Sequence, residues 1–271
     1  MKLPLEKYFA ERRERKFLSL FITAGYPKLS STMPAAQLLA KAGADLIELG
    51  IPFSDPLADG PTIQRASTVA LKNGVTLAMV LEMAKGISSK TSVPIILMGY
   101  YNPILHFGIE RFILAAQDAR VQGLIVPDLP VEESRRDGIR ESALAAGMSL
   151  IYLVAPNTPA QRLDLIDSLT TSFVYATSVT GVTGARQNVA EVASEFLSKL
   201  RLRIRHPVLV GFGVSTPEDV RSLCRQSDGV IVGSALVARL AEEFEQKDGE
   251  EKISCYVREL KRGLLEESNG H

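Results

Sequence analysis

Histidine and cysteine are scarce in this chain, three and two among 271 residues, and tryptophan is absent. Cys224 and Cys255 form no Cys-x-x-Cys pair, and both fall in helical patterns. That excludes a disulfide scaffold and points to inert thiols in a reducing compartment. His106, His206 and His271 show no metal-ligand spacing, and His271 is the terminal residue, which argues against a zinc or iron site. No serine or cysteine stands beside a histidine, so no nucleophile–base pair is written locally. Lysines lie mostly in helical or terminal stretches. Lys28 alone falls on a loop expected to face a site, which argues against Schiff-base chemistry and against pyridoxal phosphate (PLP) held by this chain. Neither sign of charge dominates: Lys+Arg and Asp+Glu both number 31. A balanced surface argues against nucleic acid or an anionic membrane as the main partner. No apolar run approaches the ~18 residues of a membrane span. The opening MKLPLEKYFAERRERK lacks the apolar core of a signal peptide, so a soluble, cytoplasmic protein is expected.

What the chain does have is alternation. Short apolar runs at 17–23, 44–49, 94–98, 123–127, 149–154, 172–177, 207–211 and 229–232 read as eight strands. Between them lie amphipathic stretches, among them 33–42, 109–121, 132–146, 159–169, 189–200, 217–226 and 235–246, several opened by Ser, Thr or Pro in capping positions. A doubly wound open sheet has the same alternation, but the length and the strand count favour an α/β chain folded as a (β/α)8 barrel, the TIM-barrel arrangement. No composition break interrupts it, so residues 1–271 are expected to form a single domain. Helices at about 5–14 and 251–266 would be additions to the barrel, and the tail 267–271 would fray.

In such a barrel the chemistry sits in the loops after the strands. The second strand, 44–49, carries Glu48 next to its end and runs into GIPFSDPLADGP, a loop stiffened by three prolines and carrying Asp55 and Asp59. A carboxylate on a strand buried on both faces is costly unless the site uses it. A strand-end carboxylate followed by a second acid on a rigid loop is a way to place an acid/base pair, although aspartates are also ordinary turn formers. Gly211, Gly213, Gly233 and Ser234 close the last two strands, where backbone N–H groups and the N-terminus of the following helix can cradle a phosphate. The loop 178–186, with two glycines and no large apolar anchor, is the candidate lid. Carboxylate acid/base work on a phosphorylated small molecule is what remains.

Seven motifs carry a resemblance: FITAGYP (21–27), DLIELGIPFSDPLADGPTIQ (45–64), LMGYYNP (97–103), PDLPVEE (127–133), SVTGVTGAR (178–186), VGFGVS (210–215) and VGSALV (232–237). In this order and over nearly the whole chain they resemble the α subunit family of tryptophan synthase. The resemblance implies cleavage of indole-3-glycerol phosphate to indole and glyceraldehyde 3-phosphate. It implies Glu48 as catalytic acid/base and Asp59 as the second catalytic carboxylate. It also implies an indole pocket of Phe21, Tyr100, Ile125, Tyr175 and Phe212, for which plain core is the alternative reading, above all for Ile125. Thr183 would orient Glu48 on closure, and Gly184, Gly213, Gly233 and Ser234 would hold the phosphate. A β subunit carrying PLP is implied as partner in an αββα heterotetramer, meeting this chain at Pro52, Asp55, Asn102 and Pro130, with no cofactor and no metal in the chain itself. Gly99 departs from the family's larger residue and predicts a loosened loop after the third strand. The segment after Glu245 is longer and more charged than the family pattern. Two rivals stand beside this reading: another phosphate-binding barrel, such as a sugar-phosphate isomerase or epimerase, and a non-catalytic activating subunit. The first has no need of ELGIPFSDPLADGP, and the second would be expected to lose the two carboxylates.

Overall fold

The computed structural model describes residues 2–177, 186–211 and 213–265. The segment Phe17–Thr23 forms β1, and all seven of its side chains are buried. The two-residue period of a strand sends them to opposite faces. Phe17 points into a cluster with Leu46, Ile96, Ile125, Ile151 and Leu209 inside the sheet. Leu18, Leu20 and Ile22 belong to the larger core outside it, between sheet and helices.

The other strands are β2 (Leu46–Gly50), β3 (Ile95–Met98), β4 (Gly123–Ile125), β5 (Ser149–Ile151), β6 (Leu153–Val154), β7 (Val174–Thr177), β8 (Val208–Gly211) and β9 (Gly229–Val232). They form one sheet in the order β5-β4-β3-β2-β1-β9-β8-β7-β6, with parallel pairing from β1–β2 around to β8–β9. β5 pairs only with β4 and β6 only with β7. Tyr152 alone separates the two, so the expected single strand 149–154 is one barrel position whose halves bond opposite neighbours, and it closes the ring. The eight expected positions are thus all present, with helices on the outside. The expected helix 132–146 is two helices, Glu133–Arg136 and Ile139–Ala145. Gly138, at φ +74°, breaks it in a left-handed conformation that a helix cannot continue through.

The N-terminal addition is the helix Pro4–Ala10, which buries Leu5 and Phe9. Phe9 stacks 4.4 Å from the Phe17 ring and 5.2 Å from Phe173, both inside the barrel. This helix therefore stoppers the N-terminal end of the barrel. Each such apolar side chain contributes roughly 1.5–3 kcal/mol on burial. The charged C-terminal segment is the helix Gly249–Leu265, and its apolar face, with Ile253, Tyr256, Val257 and Leu260 buried, packs on the helices Pro217–Cys224 and Thr32–Ala42. Lys261 pairs with Asp45, whose Oδ2 also accepts the Leu18 N–H at 2.8 Å. Tyr256 donates to the Ser215 carbonyl at 3.0 Å, tying this helix to the loop after β8. Among the described residues no helix is long and apolar enough to cross a membrane.

Candidate active site

Glu48 sits mid-strand in β2, opposite Phe21 of β1 and Ile96 of β3. The strand alternation that points Leu46 into the barrel points Glu48 the same way, and its relative exposure is 0%. Its Oε1 accepts a hydrogen bond from Ser19 Oγ at 2.6 Å. Its Oε2 is buried and has no partner among the described residues. Burial pushes the Glu48 carboxyl up to about 7, against the opposing effect of the Ser19 bond. A group at that value is both a competent acid and a competent base near neutral pH.

The loop after β2 is built by short-range bonds: the Leu57 N–H to the Asp55 carbonyl at 2.9 Å and the Asp59 N–H to the Pro56 carbonyl at 3.0 Å. Tyr100, at the end of β3, fixes the loop from the side. Its hydroxyl accepts the Ala58 N–H at 2.9 Å and donates to Asp59 Oδ2 at 3.0 Å. Burial raises Asp59 to about 6, with the Tyr100 bond opposing. Tyr175, inward on β7, is held well above its ordinary value by burial first and then by the charges of Glu48 and Asp59. It stays a neutral hydroxyl facing both acids.

Gly99 shows how closely this region is packed. It is buried, its N–H donates to the Ile125 carbonyl at 3.0 Å, and a Cβ there would lie 2.8 Å from Ile51 Cδ1. The expected loosening is therefore not found: the Ile51 side chain fills the space that a larger residue would take.

A cavity of about 180 Å³ opens above these groups and is lined by Phe21, Asp59, Met98, Tyr175, Gly213 and Ser234, among others. Glu48 does not line it. The helix Ser234–Glu242 begins at the same cavity. The Val237 N–H bonds the Gly233 carbonyl at 2.9 Å, so the N–H groups of the first turn before it are left for a ligand. Gly213, at φ +66°, has open space where a Cβ would stand. Gly211 has a different task, because a Cβ there would meet the Tyr175 hydroxyl at 2.6 Å. One glycine of the Gly-Phe-Gly motif leaves room for an anion and the other makes room for Tyr175.

The structure thus brings Glu48, Asp59, Phe21, Tyr100, Tyr175, Gly213, Gly233 and Ser234 to one end of the barrel. Ile125 is fully buried in the barrel interior and does not line the cavity. Thr183, Gly184 and Phe212, together with all but the last residue of the candidate lid 178–186, lie outside the described residues. Of the expected partner positions, Asp55, Asn102 and Pro130 are exposed and Pro52 is buried. Leu57, beside Asp55, is 92% exposed. Asp128 Oδ1 accepts the Tyr101 N–H at 2.9 Å and ties the loops after β3 and β4 together. Sequence reasoning missed Ser19, whose signal was a polar residue at an inward position in the middle of FLSLFIT, a run otherwise apolar up to its terminal Thr23; it also missed Met98 as cavity lining. A larger hollow of about 260 Å³ lies alongside, lined by Pro127, Asp128, Pro130, Tyr152 and Arg162. Neither Glu48 nor Asp59 reaches it, so size does not decide the site.

A family model described as Tryptophan synthase alpha chain matches residues 9–264. The tryptophan synthase alpha chain of Geotalea daltonii is 47% identical over 253 residues, covering 93% of this chain and 95% of that protein. That of a Picosynechococcus species is 51% identical over 222 residues, 82% and 83% of the two chains. Among solved structures, tryptophan synthase alpha chain from Legionella pneumophila superposes with a TM-score of 0.89 at 33% identity, covering 100% of both chains. A Mycobacterium tuberculosis tryptophan synthase structure gives 0.87 at 34% identity, covering 97% of this chain and 99% of that one.

Proposed function

Since this chain belongs to the tryptophan synthase alpha chain family, a family of lyases that cleave indole-3-glycerol phosphate, we propose that Glu48 is the acid/base of the cleavage and Asp59 the anion that holds the indole N–H. The observation that carries this reading is the pair of carboxyls at one end of the barrel, raised by burial to different values: Asp59 lines the cavity together with a helix N-terminus suited to a phosphate, and Glu48 lies buried on β2.

The chemistry follows from the ring. Glu48 gives its proton to C3 of the indole, making an indolenine-like cation. Asp59, ionised, accepts the ring N–H and stabilises the positive charge as it develops. The bond from C3 to the glycerol carbon then breaks, and its electron pair returns to the ring. The hydroxyl on that carbon becomes the aldehyde and gives its proton to Glu48, which is restored. No proton is gained or lost overall, and the ring serves as electron sink. Tyr100 holds Asp59 and the loop in place. Phe21 and Tyr175 offer the ring apolar walls, while Gly213, Gly233 and Ser234 receive the phosphate in the same cavity.

Members of the family work with a β subunit. Asp55, Asn102 and Pro130, exposed on the loops at the same end, are the positions proposed to meet it in an αββα assembly, with PLP in the partner and none in this chain. The test is indole release from indole-3-glycerol phosphate by the full chain and by Glu48→Gln. A folded Glu48→Gln should lose at least ~10²-fold in turnover, the scale of a positioned acid/base group. Near-normal turnover would remove Glu48 from the mechanism.

A further inference from the structure

Glu48 has two oxygens in unlike surroundings. Oε1 is met by Ser19 Oγ at 2.6 Å, and Oε2 is buried without a partner among the described residues. Ser19 is itself completely buried, on β1, two residues toward the stoppered end from Phe21, the residue that pairs with Glu48. We propose that Ser19 is a positioning residue for the proton transfer: it holds Oε1 and leaves Oε2 as the oxygen that exchanges the proton with substrate. The proposal rests on the reading of Glu48 as the acid/base.

The reasoning starts from the hydroxyl. A serine has one proton to donate, and burial makes leaving it unbonded costly. Its acceptor here is Oε1, so Oε1 is occupied by the serine's proton and the carboxyl's own proton is directed to Oε2. The buried oxygen that lacks a partner is then the one with work to do when substrate arrives. Among the described residues the inward neighbours of Glu48 leave Ser19 without a competitor. β3 offers Ile96, β1 offers Phe21 besides Ser19, β7 offers the neutral Tyr175, and Asp59 on the following loop is engaged by Tyr100. Ser19 lines neither the cavity nor its rim, so its effect on the reaction runs through Glu48 alone.

Three measurements on the full chain separate this from a structural role: kcat and KM against pH, the midpoint of the Glu48 carboxyl by carbon-13 NMR (identified by its absence in Glu48→Gln), and both again in Ser19→Ala and Ser19→Thr. Removing a donor to the ionised carboxylate should move the Glu48 midpoint and the matching limb of the kcat profile up by about one pH unit, the usual scale for one such bond. At the optimum, kcat should fall about three- to tenfold through lost orientation, with KM nearly unchanged. Ser19→Thr keeps the hydroxyl and should restore both. If Ser19→Ala fails to fold, Ser19→Cys, similar in volume but a weaker donor, must show the same upward movement. An unmoved midpoint in a folded Ser19→Ala or Ser19→Cys, with Glu48→Gln inactive, would overturn the role of Ser19 and leave that of Glu48 intact. An active Glu48→Gln would bring down both.

Discussion

Burial raises both Glu48 and Asp59, but it is complete for one and partial for the other, and the difference assigns their roles. At neutral pH Asp59, near 6, is mostly ionised, while Glu48, near 7, is about half protonated. Activity should therefore rise through about pH 6 as Asp59 ionises and fall above about pH 7 as Glu48 loses its proton. A kcat/KM profile rising monotonically to pH 9 would contradict this order. The same burial has a stability cost of definite sign. Glu48 is raised from an ordinary 4.5 to about 7, so the native state loses stability as pH rises through that interval. The scale is about 3 kcal/mol, at roughly 1.4 kcal/mol per pH unit. Glu48→Gln should accordingly be inactive yet more stable than the parent at pH 8, with the gain absent at pH 4.5, as read by denaturant unfolding at both. Asp59→Asn should be severely impaired because the amide cannot carry the charge, whereas Asp55→Asn, exposed on the same loop, should keep the chemistry in the chain alone; the reverse result would mean the wrong aspartate was chosen. These two acids were legible because a carboxylate inside an apolar strand and another on a proline-stiffened loop violate local expectation. Ser19 was not, because a buried serine on a strand more often serves the backbone and its partner is 29 residues away.

At the scale of the element, strand ends decide the site. Sequence periodicity located all eight barrel positions, since both faces of each strand are apolar and the strands are short. It could not see that Tyr152 splits one of them, because Leu150–Val154 runs on without a turn residue while its halves bond to different neighbours. Nor could it separate the two glycines of Gly-Phe-Gly, which look alike until Tyr175 is placed beside Gly211. Their different tasks predict different kinetic signatures. Gly211→Ala forces the Tyr175 hydroxyl aside from a 2.6 Å approach and should lower kcat more than it raises KM. Gly213→Ala meets no neighbour but must adopt φ +66°, a strain of roughly 1–2 kcal/mol for an L residue. Its added methyl narrows the phosphate side, so the dissociation constant of glycerol phosphate should rise at least several-fold. Equal effects of both changes on kcat and on phosphate binding would mean that the division of labour is wrong.

At the scale of the whole molecule, the two ends of the barrel are opposites. One carries the loops, the acids, the phosphate cradle and the exposed Asp55, Leu57, Asn102 and Pro130. The other is filled by Leu5 and Phe9 from the N-terminal helix, which the sequence announced only as a helix and not as a stopper, since nothing in its pattern says which face of the barrel it will meet. If a partner docks at the loop end and orders what positions Asp59, it should raise turnover more than it tightens phosphate binding, and glycerol phosphate should in return tighten the subunit contact. Equal turnover with and without a PLP-bearing partner would remove that coupling and leave the barrel's own chemistry standing. The stopper itself can be tested: Phe9→Ala should cost about 3–5 kcal/mol, typical of a large buried aromatic, measured by denaturant unfolding. Its presence also governs traffic. A barrel sealed at one end is a batch vessel and not a flow-through pipe: nothing crosses it from end to end, and the doorway that the described residues form stands at the loop end. Whatever shutters that doorway meters throughput as well as chemistry, and the slowest step of a turnover is then free to be the clearing of the vessel, not the breaking of the bond.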